Sequence, residues 1–450
     1  MAKTNLGTLP RKGAGNLQVR VWRELAEAER TAVLRRSEVD IASHWELVRG
    51  VVERVRREGD AALLEYTLRW DGVDLTGVPL RVGPEELRAA YEGLDRELRD
   101  TLRLAARNIE AFHRAQMPVP LWFLPEEHGV LVGEKVSPIP DVALYVPRGK
   151  GSFPSVLLML AIPARVAGVE RVAVLTPPNP QGGVDPAVLA AAHLTGVTEL
   201  YRVGGIQAVA AVAFGTESVP RCGKILGPGS GYVTAAKRYL FGHLDVGVPA
   251  GPSEAVILAD ETVDPAVAAL DLCIEAEHGP DSAALLVTPS RELARSVGRE
   301  VDRLVENLSP YRRGFVEAVL GGARGGAILT EDLDAAVEFV NAFAPEHMEV
   351  LVRDPWELLP RLHHAGEILL GEHTPITLAN FLLGPNAILP TGGFARTYSA
   401  LSVHDFLKRS SVAYVSAQGF AHLGPHARRF AAAEGFEAHA RAVEGRKRLQ

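Results

Sequence analysis

Cysteine is almost missing from this chain. Cys222 and Cys273 are its only two, far apart in sequence, so no disulfide framework can be read and a reducing, cytoplasmic setting is expected. An excess of positive charge is missing too. The formal net charge is −7, which argues against nucleic acid and anionic membrane as partners. No apolar run reaches the ~18 residues of a membrane span; Ser152–Gly168 is broken by Pro154, Pro163 and Arg165. The first residues, with Lys3, Arg11 and Lys12 among glycines, lack the apolar core of a signal peptide and read as a loose tail. Low-complexity tracts and solenoid repeats are also absent.

What remains is a globular sequence. At 450 residues it is too long for one ordinary core, so two main domains with appendages are expected. Up to Met117 the spacing is helical: Trp45, Val48, Val52 and Val55 recur on one face, as do Leu98, Leu102, Ala105, Ile109 and Phe112. From Val142 to about Val248, short apolar strands alternate with helices, and from Glu254 to Val352 a second such series follows. That rhythm predicts an α/β chain with two doubly wound, Rossmann-like parallel sheets. The expected division is a tail and first helix over 1–38, a discontinuous α/β domain over 39–141 and 249–400, and an inserted nucleotide-binding α/β domain over 142–248. In this reading the early helices pack on the second series. The segment 401–450 is expected to be a tail ending in a helix over Pro425–Leu449, docked on another subunit.

Several stretches carry residue types suited to chemistry. In Glu275-Ala276-Glu277-His278, a carboxylate and an imidazole three apart share a helix face just before Gly279-Pro280 stops the helix. That arrangement suits a metal or an acid–base site, and equally a solvated helix end. Gly149 and Gly151, Gly204-Gly205, and Gly227-Pro228-Gly229-Ser230-Gly231 follow strands and precede helices, where free N–H groups favour phosphate. No G-x-G-x-x-G with a downstream acid is present. Ala344-Pro345-Glu346-His347 puts a carboxylate beside an imidazole at a strand entry, suited to proton transfer near neutral pH. Gly251-Pro252-Ser253-Glu254 places a hydroxyl at a domain junction. Cys273 sits on an apolar helix face without a basic neighbour and reads as inert core.

Together these blocks resemble the histidinol dehydrogenase family from about Val39 to Arg446. The matching segments include Tyr145-Val146-Pro147, Met159–Arg165, Gly204–Ala208, Ala213–Thr216, Gly227-Pro228-Gly229, Ala250–Glu254, Ala276-Glu277-His278, Ala344–His347, Leu389-Pro390-Thr391 and Glu434-Gly435-Phe436. The resemblance implies an enzyme that uses zinc and NAD to oxidise an amino alcohol to the acid in two hydride transfers, L-histidinol to L-histidine being the family reaction. It implies a homodimer whose C-terminal segment crosses into the partner's site. It assigns His347 as general base, Glu346 as the group activating water, and His278 and His439 as zinc ligands. Tyr145, Gln207 and Ser230 fall at NAD contacts, with Ser230 where the family usually has Asn. Ser155, Ser253 and Glu434 fall at substrate contacts.

Four further positions depart from the family pattern. Glu275 stands where the family has a Gln zinc ligand, and Asn380 where it has an Asp. The two changes exchange carboxylate and amide, leaving two imidazoles, one carboxylate and one amide carbonyl, all compatible with zinc. Ile376 replaces a Glu and Ala387 a His, both substrate contacts, so the pocket loses hydrogen-bond partners for histidinol. The expectation is retained chemistry on histidinol or on another alcohol or polyol. From another class, the alternative is a non-catalytic zinc- or nucleotide-binding paralogue.

Overall fold

The structure is a computed structural model, and it describes residues 17–36, 44–126, 129–149 and 151–446. Two parallel sheets form its framework. Four strands, β4 (Asp141–Tyr145), β5 (Arg171–Thr176), β6 (Glu199–Arg202) and β7 (Ile225–Leu226), make one sheet in the order β6-β5-β4-β7. Six strands make the other: β1 (Val19–Val21), β8 (Glu254–Ala259), β9 (Ala283–Thr288), β10 (Gly325–Leu329), β11 (His347–Leu351) and β12 (Glu367–Leu370). Their order is β1-β10-β9-β8-β11-β12, all parallel. Helices cover both faces, which is why β8, β9, β10 and β11 are buried along their whole length. The expected pair of doubly wound sheets is present.

The helices before residue 117 correct the expected division. Val48, Val51, Val52, Leu63 and Tyr66 pack with Ala143, Leu175 and Val209 of the four-stranded sheet layer. Leu102, Ala105 and Ile109 pack with Leu144, Leu158 and Val174 on its other face. These helices therefore cover the four-stranded sheet, not the six-stranded one. Helical periodicity shows that a face is buried and is silent on which sheet receives it. The N-terminal segment does reach the larger sheet, through β1 and through Val33, which packs with Val256 and Phe339.

Three strands were not expected as a sheet. β2 (Leu121–Glu126), β3 (Val130–Pro138) and β13 (Leu407–Val415) form an antiparallel sheet in the order β13-β3-β2. Beyond it the tail differs from the reading of one helix over Pro425–Leu449. A helix spans Ala417–Ala433 with Pro425 inside it, Gly435 breaks the path at φ 79°, and a second helix spans Glu437–Arg446. Leu449 lies outside the described residues.

Candidate active site

His347 opens β11, between Ala255 of β8 and Glu367 of β12 in the strand register. All three strands begin here, so the site lies at the N-terminal edge of the six-stranded sheet. The helix Pro265–Ala276 runs back against the strands and delivers Glu275 and His278 to the same edge. Pro265 at its first turn and the Asp264 carboxylate, which accepts from Ala266 N–H, fix its start.

Neighbouring residues on paired strands face the same side, and the His347 Nδ1–H donates to Glu367 Oε1 at 2.6 Å. That bond turns Nε2 towards Glu275 Oε1 at 3.8 Å and Glu346 Oε1 at 3.9 Å. Burial opposes protonation of this imidazole, but the Glu367 bond and the charges of Glu346, Glu275 and Glu367 outweigh it and carry its pKa to about 10. Glu346 moves up as well, well above the usual carboxylate range. Burial drives it, helped by Glu275 and Glu254 and opposed by His347 and by the Glu254 N–H, which donates to Glu346 Oε2 at 2.8 Å. Beneath it the Glu254 carboxylate takes two bonds from Arg36, at 2.8 and 2.6 Å.

Glu275 is 1% exposed, and neither of its carboxylate oxygens has a hydrogen-bond partner. Buried carboxylates are normally paired or bound to a metal. His278 Nδ1 bonds the Ile274 carbonyl at 2.9 Å. A carbonyl only accepts, so Nδ1 carries a proton, and in the neutral tautomer this bond selects the lone pair is on Nε2, the arrangement metal-binding imidazoles use. The donors therefore fit a zinc ion. Asn380, half-buried on the short helix Ile376–Phe381, is the third donor expected from the same chain. Among the described residues no three His, Cys, Asp or Glu side chains of one chain are arranged to hold a metal.

The other sequence-derived residues separate into groups. His439 and Glu434 are exposed in the C-terminal helices, where the His439 ring packs on Phe436 at 5.2 Å; the single chain does not bring them to Glu275. Ser253 precedes β8, and half-buried Ser155 lies in the first turn of the helix Pro154–Ala167. Ile376 is fully buried against Ala255, Leu369 and Ala379, and Ala387 packs at the edge of the four-stranded sheet's core. Glu367, Arg36, Asp271 and Glu349 were not singled out from sequence. Glu367 carries no local motif, and only the strand register exposes it.

Tyr145, Gln207 and Ser230 cluster at the C-terminal edge of the four-stranded sheet. There β4 and β7 flank the point where strand order reverses, the usual place for a ligand in such sheets. Tyr145 is buried and its hydroxyl accepts from Gly205 N–H at 3.0 Å, while burial pushes its pKa up to about 12. Gln207 Oε1 is buried without a partner. Gly205 has φ +67°, and a Cβ there would stand 2.6 Å from that oxygen. Exposed Ser230 caps the helix Gly231–Leu240 in position without a side-chain cap bond. An open glycine turn, a helix start and one orphaned amide oxygen suit a dinucleotide. Both thiols are inert by environment: burial pushes Cys222 and Cys273 up to about 12.

Comparison with known proteins places this geometry. The histidinol dehydrogenase family model matches residues 34–447. The chain is 50% identical to a histidinol dehydrogenase of Synechocystis sp. over 92% of this chain and 95% of that protein. It is 51% identical to a histidinol dehydrogenase homolog of Cereibacter sphaeroides over 94% and 96%. Its fold matches the crystal structure of a histidinol dehydrogenase from Elizabethkingia anophelis with TM-score 0.91, at 32% identity, over 97% of this chain and 99% of that one. On these matches the chain is a member of the histidinol dehydrogenase family, an NAD-dependent dehydrogenase acting on CH–OH groups.

Proposed function

We propose that this protein oxidises a primary alcohol through the aldehyde to the acid, with zinc and two equivalents of NAD+, as a cytoplasmic homodimer. The observation that supports it best is the Glu275 carboxylate, buried without a hydrogen bond, 3.4 Å from His278 Nδ1 and 3.8 Å from His347 Nε2. Glu275, His278 and Asn380 would hold zinc together with His439 of the partner subunit, and Tyr145, Gln207 and Ser230 would hold NAD. Ser155, Ser253 and Glu434 would hold the substrate. Bound zinc would polarise the alcohol oxygen and lower its pKa; NAD+ would accept the hydride.

The chain's own residues handle the protons. His347 Nε2 takes the hydroxyl proton as the carbinol C–H pair leaves, and Glu367 holds the ring in the required tautomer. Glu346 in its ionised form, made a stronger base by its raised pKa, would take a proton from the water that hydrates the aldehyde, and loss of a second hydride from the hydrate to NAD+ would give the carboxylate. The balance is alcohol, water and two NAD+ to acid, two NADH and protons.

Two substrates compete. L-histidinol is the family reaction. A different alcohol or polyol is favoured by the pocket: Ile376 and Ala387 offer no polar atom where the family has an acid and an imidazole, and Ile376 closes against apolar neighbours. The experiment is NADH formation by the zinc-loaded protein with L-histidinol beside a panel of primary alcohols. Two NADH per histidinol establishes the family reaction, and turnover of another alcohol alone establishes a new substrate. Silence throughout refutes the proposal. Full zinc occupancy in both Glu275→Ala and Asn380→Ala would remove those residues from the metal site.

A further inference from the structure

A second acid cluster lies behind the site. Asp271 stands one turn before Glu275 on the helix Pro265–Ala276, and Glu349 stands two residues after His347 on β11, hence on the same face of the strand. Both are buried, at 6% and 0% exposure. Their carboxyl groups lie near enough for each to shift the other. Glu349 Oε1 also accepts from Ile376 N–H at 2.6 Å, the first residue of the helix Ile376–Phe381 that carries Asn380. Glu349 Oε2 meets no N–H and no O–H of any other residue. The surroundings are apolar: Ala255, Ile274, Leu369, Ile376 and Ala379.

Two ionised carboxylates cannot bond each other in such a place, because neither has a hydrogen to donate. One proton resolves both anomalies. Placed on Glu349 Oε2, it donates to Asp271 while Oε1 goes on accepting from Ile376. Burial drives both carboxyls up. Glu349 goes further, because the Asp271 charge adds to burial and outweighs the Ile376 N–H and His347; for Asp271 the bond from Glu349 partly offsets burial. The other titratable groups near the pair are His347 and Glu275, on the same two elements.

We propose that Asp271 and Glu349 share a single proton and act as a positioning pair for the metal donors. The pair joins three elements at one point: the helix bearing Glu275, the strand bearing His347 and the helix bearing Asn380. Neither residue touches substrate or metal. Their positioning role rests on the reading of Glu275 and Asn380 as zinc donors; the shared proton does not.

The test compares full-length wild type with Glu349→Gln, Glu349→Leu and Glu349→Asp. Glutamine reproduces the bonding without a proton to share, since its oxygen accepts from Ile376 and its amide donates to Asp271. Leucine removes both bonds, and aspartate keeps the acid on a stem one methylene too short to reach both partners, which serves if the leucine variant does not fold. Zinc affinity is read by competition with a chromogenic chelator, alongside kcat and KM. Expected is near wild-type affinity for Glu349→Gln and a loss of about 10- to 100-fold for Glu349→Leu and Glu349→Asp, the size typical of groups that orient metal ligands. The infrared spectrum of metal-free protein reads the proton: the protonated-carboxyl band should weaken in Glu349→Gln relative to wild type, the Glu346 contribution cancelling in the difference. Equal loss in Glu349→Gln and Glu349→Leu overturns the shared proton, as does an unchanged infrared band. Wild-type zinc affinity in Glu349→Leu overturns the positioning role. A wild-type chain that binds no zinc overturns that role together with the metal reading, while the infrared difference still decides the proton.

Discussion

Replacing Arg36 by Met should cost this protein a large part of its stability. The Arg36 and Glu254 side chains are 1% and 0% exposed, and Nε and Nη2 meet the two carboxylate oxygens at 2.8 and 2.6 Å. The same guanidinium donates to the carbonyls of Leu34, Phe343 and Ala344 and lies 3.7 Å over the Phe343 ring. Met fills similar volume but leaves Glu254 a buried carboxylate without its cation, retaining the Gly392 N–H at 2.9 Å. Removing one partner of a buried pair costs roughly 3–5 kcal/mol, against a total of about 5–15 kcal/mol for a typical native protein. The effect reaches the site as well, because Glu254 N–H aims Glu346 and the Arg36 bond to Ala344 steadies a non-glycine residue at φ 52°. Denaturant titration of Arg36→Met, Glu254→Gln and the double variant measures it. The double variant should lose less than the sum of the singles, by about 0.5–3 kcal/mol, since the carboxylate and the guanidinium that meet in wild type are removed together. Two single losses below about 1 kcal/mol with an additive double, within the scatter of surface changes, would refute the reasoning.

Other outcomes follow from single side chains. Gly227→Ala puts a Cβ 2.2 Å from the Tyr145 carbonyl oxygen at φ +115°; a strain of about 1–3 kcal/mol should weaken NADH binding in a fluorescence titration, and wild-type binding would sink the assignment of this edge. Lys237 is buried against the Gly227 carbonyl, and burial lowers its pKa from 10.5 to about 7. Between those values the unfolded chain binds the extra proton, so this residue makes stability rise with pH there by up to about 1.4 kcal/mol per unit. Lys237→Met should flatten that rise, and identical pH profiles would contradict it. Glu275→Gln removes one of the charges that hold the His347 pKa at about 10, so in metal-free protein this histidine should titrate lower by NMR while zinc affinity falls; an unchanged His347 titration would contradict that coupling. His347→Asn should lower kcat by about 10²–10⁴ with NADH binding unchanged.

The sheets were legible because buried parallel strands are continuous apolar runs, as in Ala283–Thr288, and because glycines punctuate their ends. The antiparallel sheet was not. β2 reads Leu121-Trp122-Phe123-Leu124-Pro125, with Leu121 to Leu124 each about half exposed, so no alternation marks an inner face, and the third strand, β13, pairs with β3 from nearly 300 positions away. The site was legible where chemistry is local: Glu275 with His278 by helical spacing, and Glu346 with His347 by adjacency. Glu367 reaches the imidazole only through strand register, and Arg36 reaches Glu254 across 218 positions. Long-range pairing of single charged residues leaves no periodic trace.

The exchange of carboxylate and amide between positions 275 and 380 takes on meaning from these neighbours. Of the four acids at the edge of the large sheet, Glu254 is matched by Arg36, Glu367 by His347 Nδ1, and Glu346 is held towards its neutral form. Glu275 alone stays unmatched, 3.8 Å from His347 Nε2 and fully enclosed. With aspartate at 380 and glutamine at 275, the ligand charge would stand on the short, half-buried helix Ile376–Phe381. With Glu275 it stands at the buried end of the long helix, beside the imidazole. In the proposed site two partners can answer that carboxylate, His347 in its charged form or a cation, and the first removes the lone pair that His347 would need as a base. In the proposed reaction a bound cation would satisfy Glu275 and leave His347 free to take a proton, which would make metal binding and the readiness of the base one requirement.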